Sequence, residues 1–524
     1  MASLNIVTAW PMPTPPAHWS APGQPVFVGR RRERSVLDRA WAETQRGIRQ
    51  FVLVCGEAGA GKSRLVTETA NAVHRLGAAV LVGGCALDFG RPYDPVAEPV
   101  RSLLPWTTHG GIQLGDEVAA QAEVIDRLRL VAGGVGGSSV NSPRLLFDAV
   151  SRLMIEAVGP HPLVLVLEDL QWAAETGVQL VVHLAEAVAD VPLLVLATLR
   201  STGPASDNQP ALAALYRLAG VHRLDLDPLQ TADIADYLHR GHGVSLQVAG
   251  VHAPQLRERT GGNPFLLREL CRSWPDDGPA PGSTTLAPAT VRATVMARCA
   301  GIGPGSLQVL RLAAVLGQQV SATELSWCLA ETPDADHGAG SPLAQVGASM
   351  LSGIDDAIGA GLLEKVPARA DSYRFPHALT RQSVLAAVPE LELARLHARV
   401  AVALERRLPA GPGAALRLAH YYLGAASLGY LDPAARHLRA AAVDAESRLA
   451  FADAAVLFER GAGIRSGPER DLMNLEAARC RLRAVHHPST TGTASRAETL
   501  RSSTLASGRS RTRSGPCAPR ARTR

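Results

Sequence analysis

Phe51-Val52-Leu53-Val54-Cys55-Gly56-Glu57-Ala58-Gly59-Ala60-Gly61-Lys62-Ser63 is an apolar run closed by a glycine-rich loop, and an amphipathic segment follows it. Strand, loop, then helix is the context that a phosphate-binding P-loop requires. The glycines let the backbone curl so that successive N–H groups face phosphate oxygens. The following helix adds its unpaired N-terminal N–H groups and the positive end of its dipole. Gly56, Gly59 and Gly61 form the expected cradle. Lys62 would reach the β- and γ-phosphates, and the Ser63 hydroxyl would ligate Mg²⁺. A chance glycine-rich turn is the alternative, and the flanking strand and helix argue against it. Of 53 basic residues only Lys62 and Lys365 are lysines. One of the two stands where a compact ammonium on a flexible stem serves better than a forked guanidinium.

Working outward, Leu163-Val164-Leu165-Val166-Leu167 reads as a central strand buried on both faces, and it ends in Glu168-Asp169. An apolar strand closed by two acids is a Walker B pattern. Glu168 would hold Mg²⁺ through water, and Asp169 would polarise the attacking water. An acidic helix start looks alike, because Asp caps well. The P-loop about 105 residues upstream favours the functional reading. Another strand, Leu193-Leu194-Val195-Leu196-Ala197, ends in Thr198-Leu199-Arg200. Arg200 would sense the γ-phosphate there; an exposed strand-end arginine is the plain alternative. Ala79-Val80-Leu81-Val82 is a further strand, and helices are expected over 31–45, 63–76 and 144–158. In the second of these, Leu65, Val66, Thr69, Val73 and Leu76 form the stripe that packs on the sheet, and Gly77 ends it. The fold class is therefore α/β: a P-loop NTPase with a doubly wound parallel sheet, helices on both faces and its ligand at the C-terminal strand edge.

The rest of the chain divides by composition. Residues 1–25 are rich in proline and read as a disordered lead, and 26–227 hold the ATPase domain. A glycine-rich surface insertion is expected over 105–143. Residues 228–282 form a helical lid and linker, with Gly261-Gly262-Asn263-Pro264-Phe265 stopping one helix and starting the next. Residues 283–405 read as helices with a short hairpin near 362–375, the order of a winged-helix module. Residues 406–487 are Ala-rich paired helices like tetratricopeptide repeats. The tail, 488–524, has almost no large apolar residue and should be disordered. Its abrupt break with the helical pattern also suggests out-of-frame translation, which the coding DNA would settle.

Bulk properties narrow the class. A chain of 524 residues should hold about three or four domains. With 46% hydrophobic residues but only 4% aromatics, the cores must be mostly Leu, Val and Ala. No apolar run reaches the roughly 18–20 residues of a membrane span, and no signal-peptide pattern opens the chain, so a cytoplasmic location is expected. The seven cysteines are scattered without a Cys-x-x-Cys pair, as in a reduced compartment. The net charge of +5 belongs to the tail, where eight arginines face one acid. The body is slightly acidic and gives little support for nucleic-acid binding.

With these pieces placed, a resemblance emerges. Phe27-Val28-Gly29-Arg30, the P-loop, Leu167-Glu168-Asp169-Leu170-Gln171-Trp172-Ala173, Ala197-Thr198-Leu199-Arg200, Thr260-Gly261-Gly262-Asn263-Pro264-Phe265 and Tyr373-Arg374-Phe375-Pro376-His377-Ala378-Leu379 occur in family order and spacing. Over about residues 24–485 the chain resembles the ATPase and sensor part of the large ATP-binding regulators of the LuxR type. These are STAND-class relatives of AAA ATPases, with a domain like that of origin-recognition proteins and of the ATPase half of soluble adenylyl cyclases. The resemblance implies an ATP/ADP switch with Mg²⁺. ADP holds a closed form; ATP opens it, and the open form self-associates. It also implies that Val28 and Arg30 contact adenine, Pro264 packs near adenine, His377 senses the phosphates, and Lys62, Glu168, Asp169 and Arg200 serve catalysis. Ser63 and Glu168 would carry the metal. The sequence departs from the family at Glu168, where an aspartate is usual, and at Gln171, where a histidine is usual. No C-terminal helix-turn-helix and no cyclase segment is seen.

Three functions are weighed. The leading one is a slowly hydrolysing signalling ATPase, the nucleotide switch of a transcriptional regulator, forming homo-oligomers with ATP and meeting an inducer or protein partner at its repeats. The others are a DNA-binding regulator in its own right and a scaffold with structural nucleotide.

Overall fold

The computed structural model describes residues 13–20, 26–85, 90–108, 118–132, 142–158, 162–188, 191–201, 210–272, 291–331, 343–366, 371–409, 411 and 413–485. The expected linker over 275–282, the tail from 488 and Cys517 lie outside them, as does much of the 105–143 insertion. Met1–Arg481 forms one compact unit and Leu482–Arg524 a second.

The first layer alternates strands and helices: α1 (Arg31–Gln45), β1 (Gln50–Gly56), α2 (Lys62–Arg75), β2 (Ala79–Gly84), α3 (Ala97–Thr108), α4 (Val118–Val131), α5 (Pro143–Val158), β3 (Leu163–Glu168), α6 (Glu175–Ala187), β4 (Leu193–Arg200), α7 (Pro210–Arg217) and β5 (Val221–Asp225). The five strands run parallel in the order β2-β3-β4-β1-β5. Strand β4 thus separates the loop-bearing β1 from the acid-bearing β3. On one face Val52, Val54, Val164, Val166, Leu194 and Leu196 pack with Leu37 of α1 and with Leu65, Val66 and Val73 of α2. The alternate residues Phe51, Leu53, Leu165, Leu167 and Ala197 are equally inaccessible, so the other face is covered too. Continuous apolar strands are what a sheet buried on both sides demands.

Two local expectations are corrected. Helix α2 stops at Arg75, so Leu76 is its C-cap and is 69% exposed rather than packed on the sheet. Gly77 follows at φ 96° and turns the chain as expected. The proline-rich lead is not disordered throughout: Trp19, in a short 3₁₀ turn over Ala17–Ser20, is buried in the α1–α2 core. The Pro13 carbonyl accepts the Val80 N–H at 2.9 Å. Strand β2 is the edge of the sheet, and an unpaired edge N–H recruits an extended neighbour.

Helices α8 (Thr231–His242), α9 (Leu246–Thr260) and α10 (Pro264–Cys271) form a cap whose core, Leu229, Ile234, Leu238, Leu256 and Leu267, also takes in Val28. Next come α11 (Val291–Cys299), α12 (Pro304–Leu316), β6 (Gln319–Ser321), α13 (Ala322–Ala330), α14 (Leu343–Gly359), β7 (Glu364–Lys365), β8 (Ser372–Arg374), α15 (Ala378–Leu385) and α16 (Glu390–Arg407). The hairpin read near 362–375 is present: β7 pairs antiparallel with β8, and β6 adds to its other side. The chain closes with α17 (Ala414–Gly424), α18 (Leu431–Ser447), α19 (Phe451–Gly463) and α20 (Pro468–Val485). Alanines 434, 435, 441, 442, 445, 454 and 455 are buried on α18 and α19, which lets the helices approach closely. Among the described residues the cysteines are free thiols, and no helix is long and apolar enough to cross a membrane.

Candidate functional site

The C-terminal ends of β1, β3 and β4 converge on the glycine-rich loop. Gly59 and Gly61 take φ values of 82° and 91°, which L side chains rarely adopt. Gly61 is the N-cap of α2, and no side chain caps that helix. Its first N–H groups therefore point at the loop without a side-chain acceptor, as an anion site requires. Lys62 is buried, and its Nζ donates to the carbonyls of Gly56 at 2.9 Å and Glu57 at 2.8 Å. Burial lowers its pKa, with Asp169 pulling the other way and Arg200 adding to the fall.

Across the sheet, Arg200 pairs in register with Gly56. The acids end β3 beside it. The Ser63 hydroxyl hydrogen-bonds the Glu168 carboxylate, while burial and the neighbouring Asp169 charge push Glu168 up to about 7. A hydroxyl and a carboxylate sharing one spot form the hard-oxygen donor set that suits Mg²⁺. The residues present thus fit both phosphate and metal. Asp169 turns out of the strand at φ 55°. Its N–H donates to Thr198 Oγ1 at 2.8 Å.

Gln171 was read only as a departure from the family pattern, and the structure gives it work. Its Nε2 donates to Asp169 Oδ1 at 2.9 Å, and its Oε1 accepts the Arg200 N–H at 3.2 Å. One buried amide therefore ties the second acid to the end of β4. The Arg200 guanidinium lies 5.4 Å from the ring centre of Trp172. The signal in the sequence for this role was a polar residue three positions past the end of a buried strand.

Gly261-Gly262-Asn263-Pro264-Phe265 seats the cap on the loop. Asn263 Oδ1 caps α10 by accepting the Phe265 N–H at 3.0 Å, and its Nδ2 donates to the Ala58 carbonyl at 3.0 Å. Pro264 Cγ lies 3.8 Å from where a Cβ on Gly61 would stand. On the other side, buried Arg30 donates to the Ala60 carbonyl at 2.7 Å and pairs with Glu33 at 2.8 Å. It also bonds the Asp227 carbonyl. Its guanidinium is a brace between α1, the loop and the start of the cap; Val28 sits in the cap's core.

His377 comes from far along the chain to the same place. Its Nδ1 accepts the Leu379 N–H at 3.1 Å, and its ring centre is 4.3 Å from that of Phe265. Burial first, then the charges of Lys62, Arg200 and Arg268, hold its pKa down at about 4. Val28 apart, the residues singled out in the sequence gather around the loop, and Arg268 joins them unannounced.

Residues 26–196 match the family model of an AAA ATPase domain. An uncharacterized protein of Rhizobium meliloti (strain 1021) is 26% identical over 412 residues, covering 72% of this chain and 37% of its own length. The chain thus spans little more than a third of that relative. Among solved structures, a STAND (Signal Transduction ATPase with Numerous Domains) protein with a tetratricopeptide repeat sensor from Pyrococcus horikoshii is 15% identical, with a TM-score of 0.47, covering 88% of this chain and 64% of that one. The ORC1 protein of Aeropyrum pernix, solved in complex with DNA, is 16% identical, with a TM-score of 0.31, covering 71% and 95%.

Proposed function

We propose that this chain is an ATP-binding, slowly hydrolysing switch ATPase, acting as the nucleotide-dependent part of a transcriptional regulator of the LuxR type. The observation that carries the reading is the α2 N-terminus. It is uncapped by any side chain, is wrapped by two positive-φ glycines, and faces Lys62, Ser63 and Glu168 together. Such an arrangement recognises a polyphosphate with a divalent cation.

In this reading the loop N–H groups bind the β- and γ-phosphates, and Lys62 leaves the Gly56 and Glu57 carbonyls to neutralise them. Ser63 and Glu168 hold Mg²⁺, which when bound supplies charge neutralisation across the phosphates. Asp169 orients water, with Gln171 fixing the direction of its carboxylate. Arg200 meets the γ-phosphate from the neighbouring strand end. Val28, Pro264 and the cap enclose the base, and His377 reads the phosphates from the hairpin region. That region, 283–405, is taken as a winged-helix module, 228–282 as the lid and linker, and 406–487 as tetratricopeptide-like repeats for an inducer or partner.

Equilibrium binding of a fluorescent ATP analogue tests the site. Lys62→Ala should weaken binding by roughly a hundredfold or more, since a buried charge-assisted contact is lost. Unchanged affinity would refute the site assignment. Glu168→Gln should keep nucleotide binding and slow phosphate release. The switch reading expects the ATP-loaded Glu168→Gln chain to be larger in solution than the ADP-loaded chain by light scattering; equal masses would count against it.

A further inference from the structure

Arg200 leaves β4 beside the phosphate cradle. It pairs in register with Gly56, whose carbonyl accepts the Lys62 Nζ at 2.9 Å. Its charge acts on both Lys62 and His377. Among the described residues, however, no carboxylate or carbonyl takes its guanidinium. The group lies over the Trp172 ring instead, with Cζ 5.4 Å from the ring centre. An aromatic face attracts a cation within roughly 6 Å, and tryptophan does so best.

The turn after β3 places that ring. Asp169, at φ 55°, leads into a 3₁₀ turn over Leu170–Trp172. The turn is closed by the Trp172 N–H to the Asp169 carbonyl at 2.9 Å and the Ala173 N–H to the Leu170 carbonyl at 3.1 Å. Leu170 is fully buried, and the Trp172 carbonyl lies 2.8 Å from where a Cβ on Gly90 would stand. Two successive side chains of this turn then hold the two ends of one residue. Gln171 Oε1 accepts the Arg200 N–H at 3.2 Å, and Trp172 takes the guanidinium. A long, flexible arginine loses rotamer freedom when it meets a ligand, and holding it in place beforehand removes that cost from binding.

We infer that Trp172 is a positioning residue for Arg200: its ring keeps the guanidinium at the cradle for a third phosphate, and so sets how strongly the site prefers a nucleoside triphosphate to a diphosphate. This rests on the nucleotide reading above and adds to it the residue behind the discrimination. Trp172 acts only through Arg200. A role in packing alone would loosen the whole turn, Asp169 and Gln171 included, and would not depend on the arginine.

A double-mutant cycle tests this, with equilibrium binding of fluorescent analogues of ADP and of a non-hydrolysable ATP in Mg²⁺. Trp172→Leu removes the aromatic face and should weaken the ATP analogue by roughly three- to tenfold. Its ADP affinity should stay within about twofold of the parent's. Trp172→Phe keeps a smaller face and most of the packing, and should lie between. In an Arg200→Met background neither substitution should change the ratio further. Equal weakening of both nucleotides, an unchanged ratio in both Trp172 variants, or the same loss in the Arg200→Met background would each overturn the inference. Should Trp172→Leu not melt cooperatively, the cycle is read on Trp172→Phe, whose ratio must still fall and must still depend on Arg200. A parent that binds neither analogue strikes the nucleotide reading and this inference together; a parent that binds both, with a ratio indifferent to Trp172, strikes this inference alone.

Discussion

His377 shows how much a single ring can report. Its Nδ1 accepts the Leu379 N–H, so the neutral ring carries its proton on Nε2. Burial and the three cations keep it neutral down to about pH 4. A base whose pKa is depressed on folding contributes stability above its unfolded value near 6.5, and that stability is lost as pH falls toward 4. His377→Asn keeps a capping oxygen for α15 but cannot titrate. Its stability should therefore fall less steeply between pH 6.5 and 4 in urea titrations. If ADP phosphates neutralise Lys62 and Arg200, the repulsion on His377 shrinks and its pKa rises. Following the ring Cε1–H by NMR with and without ADP measures this; an unmoved titration would separate His377 from the phosphates. Gly59 is the other residue whose identity is dictated. At φ 82° an added Cβ would stand 2.8 Å from both Phe265 Cβ and Asn263 Oδ1. Gly59→Ala should cost roughly 1–2 kcal/mol for the left-handed backbone alone, before that crowding, and a stability equal to the parent's would contradict the packing.

The element that most depends on one side chain is α10. Asn263 caps it and, with the same amide, holds the Ala58 carbonyl of the loop. Asn263→Ala removes both contacts and should cost roughly 1–2 kcal/mol. Asn263→Asp keeps the cap but sets a carboxylate against the Ala58 carbonyl. Release of a fluorescent ADP analogue in stopped flow should be faster in both; unchanged release in both would mean that this clip does not hold the cap over the loop. The comparison also explains what the sequence could and could not disclose. The P-loop, the two acids and the capping Asn-Pro are local patterns, so they were legible. Strand β5 was not read, because at the sheet edge its His222, Arg223 and Asp225 are exposed and Val221 is only half-buried, so the run lacks a strand's apolar signature. Arg30 reaching Ala60, and Asn263 reaching Ala58, are contacts across 30 and 205 positions. No local period encodes them. The buried Trp19 escaped for a like reason: proline density marks a loop, yet says nothing about one tryptophan finding a groove between α1 and α2.

At the scale of the whole unit, the parallel sheet and the helical array meet through buried polar links rather than apolar area alone. Tyr93 bonds the Arg448 carbonyl from the segment before α3. Asp453 of α19 accepts the Thr176 N–H at the start of α6, whose own N-cap, Ala174, has no side chain to do so. Helix α6 begins three residues after Trp172, so the array is fastened next to the segment that orients Asp169. Burial raises the Asp453 carboxyl to about 6, partly opposed by the Thr176 N–H, with Glu175 adding negative charge. The sign follows directly. An acid whose pKa is raised on folding contributes stability that is complete below its unfolded value near 3.8 and is lost as pH rises through 6. Asp453→Asn can still accept from Thr176 but never ionises. Relative to the parent it should therefore gain stability as pH rises from 4 to 7, by roughly 2 kcal/mol at most. Asp453→Ala removes the cap and should be the less stable of the two at pH 7. Ala174→Asp in that background supplies a local cap and should restore about 1 kcal/mol of it, without restoring the tie between α19 and α6. Urea unfolding of the four proteins at pH 4 and pH 7 separates these effects. Parallel curves for the parent and Asp453→Asn would show that the carboxylate is not buried where α19 meets α6, and the fastening of array to sheet would then need another residue.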